Sequence, residues 1–391
     1  MAYLCKKGLA GTMGTLRNKE ETLSSISRRS LLKQCGIAAA ANLPVMSFAA
    51  PASHIPATIH VNLNENAFGP SPTVVPAITR ELPRLARYAT ADLANEFTAQ
   101  IAAYERVPPE QVVLGEILGG LGLYLGSQGA PGGEFLYSVP GYLALINAAS
   151  HVGGVGVPVP LNSHFENDLP ALREKVSPRT RAIYLINPHN PTGTASDPVA
   201  FRAFLEEASR QAPVIVDEAY LEYTRDFEAR SAVSLVRDGA NILVFRTFDK
   251  IHGLAGMPIG YTLAPAKLAA ILRRNGLGDA EGLGRLNLVA AAAALNDQEH
   301  VGRVRDTVSR ERAIWLQVLD ELKLRHTRSE TNFIFFDTGA PQANLAGSLG
   351  ERGIEIARAF PPYDTWARIT IGLPSENRRV RQALREIFSH R

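Results

Sequence analysis

Four short stretches of this 391-residue chain set chemically capable side chains just after apolar, strand-like runs. Lys250 follows "NILVFR" and precedes Gly253, Gly256 and Gly260. Asp217 ends a buried-looking strand in "VIVDEAY", with the Tyr220 phenol three residues on. Asn190 stands between prolines in "INPHNPTG", and Tyr142 closes "SVPGY". A lone loop lysine is ordinarily a solvated one. An amine, a carboxylate, a phenol, an amide and a flat ring at strand ends make a different set, because open α/β sheets build their sites at the carboxyl ends of strands.

The elements needed to gather them are legible. Short apolar runs, "QVVL", "EFLYS", "VGVPVP", "RAIYLI", "PVIVDE", "NILVFR" and "IGYTLA", alternate with helical patterns such as 198–211, where Phe201, Phe204 and Leu205 recur at helical spacing. Buried strands separated by helices predict an α/β fold with a mostly parallel sheet flanked by helices. A helix over 311–322, then "NFIFF", "ARITIG" and a helix over 376–388, predicts a smaller α+β domain. The expected division is a leader 1–52, an N-terminal arm 53–84 contributing to the small domain, a large domain 85–275 and a small domain 276–391.

On such a sheet the set answers the needs of pyridoxal phosphate. The amine forms a Schiff base, the carboxylate keeps the ring nitrogen protonated, the phenol and amide bond the ring hydroxyl, and the aromatic ring stacks.

The formal charge of +3 is unevenly spread. Residues 1–52 hold seven basic side chains against Glu20 and Glu21, a net +5, which leaves −2 for the rest and gives no ground for a nucleic-acid partner. The leader "SRRSLLKQCGIAAAANLPVMSFAAPASH" resembles a twin-arginine export signal, with cleavage expected after Ala52. It implies the twin-arginine machinery as a partner and a periplasmic or otherwise exported mature chain. Its apolar run is broken by Asn42 and Pro44, too short for a stable membrane anchor. Both cysteines, Cys5 and Cys35, lie in the leader, so the mature chain would hold no disulfide, and the nine histidines show no metal-ligand spacing.

From Val61 to the C-terminus the chain resembles the fold-type I, class I/II aminotransferases, most closely the histidinol-phosphate aminotransferase branch. The likeness rests on the four stretches above together with "NLNENAFGPSP" and "ARAFPPYDTWARITIGLPSENRRV". It implies transfer of an amino group from an amino acid or amine donor to an oxo acid, with Lys250 as Schiff-base lysine and proton carrier. Asp217 would pair with the ring nitrogen, Tyr220 and Asn190 would take the ring hydroxyl, and Tyr142 would stack. Thr247 would keep a hydroxyl near the phosphate. Tyr88 would reach the cofactor phosphate of a neighbouring subunit, which implies a homodimer. Arg368 would grip a substrate carboxylate or phosphate, with Arg358 a second anion contact and Asn66 near the substrate. His252 and His189 are expected to shape their loops.

The resemblance breaks at the cofactor phosphate. The family carries serine before the lysine and arginine eight residues after it; here stand Asp249 and Pro258. A third small polar turn reads "GEILGG". Three readings stay open: a rebuilt phosphate cup with Arg246 as one candidate charge, a cofactor held weakly apart from its covalent link, or a retired enzyme kept as a binding protein. Decarboxylase, lyase or oxygen-dependent oxidase chemistry on the same fold is a further alternative. If the chain is exported, histidinol phosphate is a poor substrate, because histidine synthesis is cytoplasmic.

Overall fold

The computed structural model describes residues 58–389, so the leader and its expected cleavage site lie outside the described residues. The chain first runs through a short strand, β1 (Ile59–Val61), before seven strands assemble into one sheet: β2 (Val112–Leu114), β3 (Glu134–Val139), β4 (Val155–Pro160), β5 (Thr180–Ile186), β6 (Val214–Asp217), β7 (Ile242–Thr247) and β8 (Gly260–Leu263). Their spatial order is β2-β8-β7-β6-β5-β3-β4. β8 runs antiparallel to both β7 and β2, while the other pairs are parallel. The mostly parallel sheet expected from the sequence is therefore present, with one reversed strand.

Helices cover both faces, which is why the central strands read as unbroken apolar runs. Their side chains divide by parity. Ile183, Leu185, Val214, Val216, Ile242 and Val244 enter one core. Ala182, Tyr184, Ile186, Ile215, Leu243 and Phe245 enter the other. Each buried Val, Leu, Ile or Phe among them contributes roughly 1.5–3 kcal/mol, and a slip of one residue would exchange the two faces. The helix Pro198–Ala208 shows how local signals agree with this packing: Asp197 accepts the N–H groups of Val199 and Ala200, a proline opens the first turn, and Phe201, Phe204, Leu205 and Ala208 are buried.

Two smaller sheets follow their own core. β9 (Phe333–Asp337) pairs antiparallel with β11 (Trp366–Thr370), and β10 (Ile354–Ile356) pairs parallel with β1. The helices Gln298–Glu321 and Pro374–Phe388 supply Val301, Trp315, Leu319, Val380 and Leu384 to that core. The helix Arg285–Asn296 instead gives Leu288, Ala290 and Ala291 to the large sheet, whose core thus draws on chain beyond residue 275. Among the described residues, no helix is long and apolar enough to cross a membrane.

Candidate functional site

A cavity of about 690 Å³ gathers Tyr142, Asn190, Asp217, Tyr220, Thr247 and Lys250 from the ends of β3, β5, β6 and β7, with Arg358 and Arg368 also lining it. Register explains the convergence. Ile186 lies opposite Asp217, Asp217 opposite Phe245, and Thr247 opposite Gly260, so these strands end at nearly one level.

Asp217 lies on the same sheet face as Tyr184 and Ile215 and is 3% exposed. Its Oδ2 accepts the Tyr184 hydroxyl at 2.9 Å and its Oδ1 accepts the Ala219 N–H at 3.0 Å. Burial pushes its carboxyl up to about 6, against the pull of the Ala219 N–H, the Tyr184 hydroxyl and Lys250. The Tyr220 hydroxyl takes amide N–H groups from Asn64 at 3.1 Å and Asn190 at 3.4 Å. Tyr142 is half exposed at the cavity, and its phenol is raised by burial and by Asp217 and Glu116. A buried acceptor, a held phenol with its amides and an available ring are the donor set and shape that a pyridoxal ring needs, so this end fits the ring.

Arg368 projects from β11, 7% exposed. Its Nη1 donates to Asn190 Oδ1 at 2.5 Å and its Nη2 to the Asn62 carbonyl at 2.9 Å, while its Nε is buried without a partner. The guanidinium sits 4.8 Å from the Phe360 ring centroid and 5.4 Å from that of Phe333. Burial lowers its pKa to about 10, partly offset by Tyr220. It stays cationic at neutral pH, and its orphaned Nε is a donor awaiting an acceptor. Arg358 stacks on Phe360 at 4.7 Å and, among the described residues, bonds only its neighbouring Ala359 carbonyl.

Other expected residues lie elsewhere. Asn66 is outside this cavity: its amide donates to the Ile251 carbonyl at 2.8 Å and to that of Gly69, tying the N-terminal arm to the turn after Lys250. That turn also presses on the arm at Gly253, whose φ is +73° and where an added Cβ would come 2.6 Å from the Gly69 backbone. Tyr88 is 81% exposed and lines no part of the cavity. His252 is buried against Phe248 and meets Glu222 at 3.2 Å. His189 bonds Thr192 at 3.2 Å, and burial lowers it to about 3.

Arg246 does not rebuild the phosphate cup. Its parity on β7 is that of Ile242 and Val244, opposite to Thr247, so it points into the other core. There it bridges Glu105 at 2.8 Å and Glu218 at 2.9 Å, donates to Ser231 and stacks over Phe227 at 4.4 Å.

The sequence reading also missed Glu116. It follows β2 through Gly115, lines the cavity, and lies against the Thr247 hydroxyl. Its side chain is solvent-exposed, yet the protein around it raises its carboxyl to about 8, with Asp249 and Asp217 adding to the rise. Gly260 makes room for it, since a Cβ there would come 2.7 Å from Glu116 Oε1. Tyr184, a plain core tyrosine by composition, was detectable only through the strand parity that puts it on the Asp217 face. Among the described residues no group of acidic, histidine or cysteine side chains could hold a metal ion.

The aminotransferase class I and II family matches residues 57–385. A histidinol-phosphate aminotransferase of Moorella thermoacetica is 33% identical over 333 residues, covering 83% of this chain and 84% of that one. An aromatic amino acid aminotransferase of Cutibacterium acnes is 31% identical over 340 residues, covering 85% and 93%. The crystal structure of the Sinorhizobium meliloti histidinol-phosphate aminotransferase in complex with pyridoxal-5'-phosphate superposes with a TM-score of 0.76 at 28% identity, over 85% of this chain and 91% of that one.

Proposed function

The chain belongs to the aminotransferase class I and II family, and we propose that Lys250 is the amine that holds its cofactor covalently and carries the proton during transfer. The protein is a pyridoxal-phosphate-dependent aminotransferase acting on small amino and oxo-acid substrates. When bound, the cofactor supplies a carbonyl that captures amines and a ring that draws electrons from the substrate's α-carbon.

The remaining work falls to the chain. Asp217, buried and fixed by Tyr184 and Ala219, would keep a proton on the ring nitrogen. Tyr220 and Asn190 would hold the ring hydroxyl, and Tyr142 would stack on the ring. Lys250 is followed by a tight turn, with the Gly253 N–H on the Lys250 carbonyl, which anchors its backbone. Its amine would be the group that carries the proton at the substrate's α-carbon. Arg368, with Arg358 near, takes the substrate's anionic group; the unpartnered Nε and the flanking phenyl rings suit a carboxylate or phosphate on an apolar or aromatic body.

The observation that carries this reading is the convergence of Lys250, Asp217 and Tyr220 on one cavity with Arg368. Export through the leader and a homodimeric assembly belong to the same proposal, the first supported by the residues of "SRRSLL" and the second by the family. Transamination is tested by incubating the loaded protein with a panel of amino donors and no acceptor. Stoichiometric oxo acid with the aminated cofactor supports it; carbon dioxide, ammonia or peroxide in its place would assign another chemistry.

A further inference from the structure

Asn64 stands three residues after β1 with a left-handed backbone, φ +59°, and is 1% exposed. Asparagine tolerates that conformation where most side chains do not. The β9 and β11 strands hold it there. Its N–H donates to the hydroxyl oxygen of Thr370, at the end of β11, at 2.9 Å, and its carbonyl accepts the amide of Asn332, just before β9, at 3.0 Å. Having accepted that N–H, the Thr370 hydroxyl donates its own proton to Asn64 Oδ1 at 3.1 Å. Thr370 is buried, so turning the amide around would leave that proton without an acceptor. The Asn64 amide is therefore locked, with its oxygen on Thr370 and its nitrogen on Tyr220.

That nitrogen donates to the Tyr220 oxygen at 3.1 Å, and Asn190 donates to the same oxygen at 3.4 Å, its own amide held by Arg368 on Oδ1. A phenol oxygen offers two lone pairs and one proton. Among the described residues the Tyr220 hydroxyl accepts these two bonds and donates none, while its ring is fixed edge-on to Phe333 at 5.1 Å. Its proton is left for what the cavity holds. We propose that Asn64 is a positioning residue: by filling a lone pair of the Tyr220 oxygen it directs the Tyr220 proton to the ring hydroxyl oxygen of the cofactor. The inference rests on the pyridoxal phosphate reading above. A proton donated there stabilises negative charge on that oxygen, so the Schiff base on Lys250 gives up its own proton more readily. An acceptor in place of the Asn64 amide would draw the Tyr220 proton away and remove that support.

The test titrates the full chain loaded with pyridoxal phosphate and reads the absorbance of the Schiff base on Lys250 against pH. Asn64→Asp keeps the shape of the side chain and its tolerance of a left-handed backbone, but offers Tyr220 an acceptor. It should raise the Schiff-base pKa by about one unit, the equivalent of losing one hydrogen bond to a charged oxygen. The new carboxylate also acts directly through its field, so the same substitution is made in Tyr220→Phe, which has no phenol proton to redirect; there the shift should fall below about half. Thr370→Val leaves Asn64 in place and frees its amide to turn. It adds no charge, should shift the pKa upward only where the Tyr220 hydroxyl is present, and decides alone if Asn64→Asp does not fold. The other charged or titratable groups facing Lys250 in the cavity, Glu116, Asp217, Asp249, Glu355, Tyr142, Arg358 and Arg368, are common to all these proteins. A Schiff-base pKa that neither substitution moves overturns the inference, as do shifts of equal size with and without the Tyr220 hydroxyl. If the wild type forms no Schiff base on Lys250, the functional reading falls as well; if it forms one indifferent to Asn64 and Thr370, that reading stands and this inference alone falls.

Discussion

Replacing Arg246 by methionine separates a structural cation from a cofactor-binding one. Arg246 is 2% exposed and joins Glu105 and Glu218 through three hydrogen bonds of 2.8–3.1 Å. Removing it strands two buried carboxylates, a change that typically costs about 3–5 kcal/mol. Unfolding a unit of about 330 residues carries an entropy on the order of 0.7 kcal/mol/K, so the melting temperature should fall by roughly 4–7 °C. Adding Glu218→Gln should restore part of the loss, because one stranded charge is then removed. Thermal unfolding of the cofactor-free protein measures the first effect. Titration with pyridoxal phosphate measures the second, and the dissociation constant should shift by no more than about threefold, or about 0.7 kcal/mol. A variant of unchanged stability that loses cofactor tenfold or more, about 1.4 kcal/mol, would refute the assignment and return Arg246 to the phosphate.

The other predictions concern charge at the site and ahead of it. Because Asp217 is raised from 3.8 to about 6, the folded state keeps a proton that the unfolded chain releases, and the cofactor-free protein loses stability as pH rises through that window. Asp217→Asn should thus be more stable than wild type above pH 6, by at most about 3 kcal/mol, and equal to it below about pH 4; chemical unfolding across pH checks this, and a difference growing at low pH would reverse the sign. Arg368→Lys should lower kcat/KM for an anionic donor by about 10–100-fold, the loss expected for one charge-assisted contact of roughly 1.5–3 kcal/mol. If cofactor retention collapses instead, the bond from Arg368 to Asn190 is its main duty. Changing Arg28 and Arg29 together to lysine should keep the chain in the cytoplasm on cell fractionation, whereas an unchanged distribution would remove the export proposal.

Much of the fold was legible because burial on both sheet faces forces continuous apolar strands, and "RAIYLI", "PVIVDE" and "NILVFR" carry that mark. The reversed direction of β8 was not legible: "IGYTLA" is as apolar as its neighbours, and an apolar run carries no mark of strand direction. Lys250, Asp217, Tyr220, Asn190 and Tyr142 were readable because each ends a recognisable strand. Arg246 and Thr247 are adjacent in sequence yet face opposite cores, so proximity to Lys250 misdirected the reading until strand parity was applied. Asn66 stood in a chemically inviting stretch, and its side chain donates to the Ile251 and Gly69 carbonyls. Glu116 was passed over because a carboxylate after a strand reads as solvated; it is solvent-exposed, and only its place beside Gly260 on the cavity lining singles it out.

The central claim is that Lys250 holds the cofactor, and borohydride reduction of the loaded full chain followed by peptide mapping tests it most directly. The account predicts the phosphopyridoxyl mass on the Lys250 peptide alone, lost when an amino donor is added before reduction. Label on another lysine, or none at saturating cofactor, would contradict it.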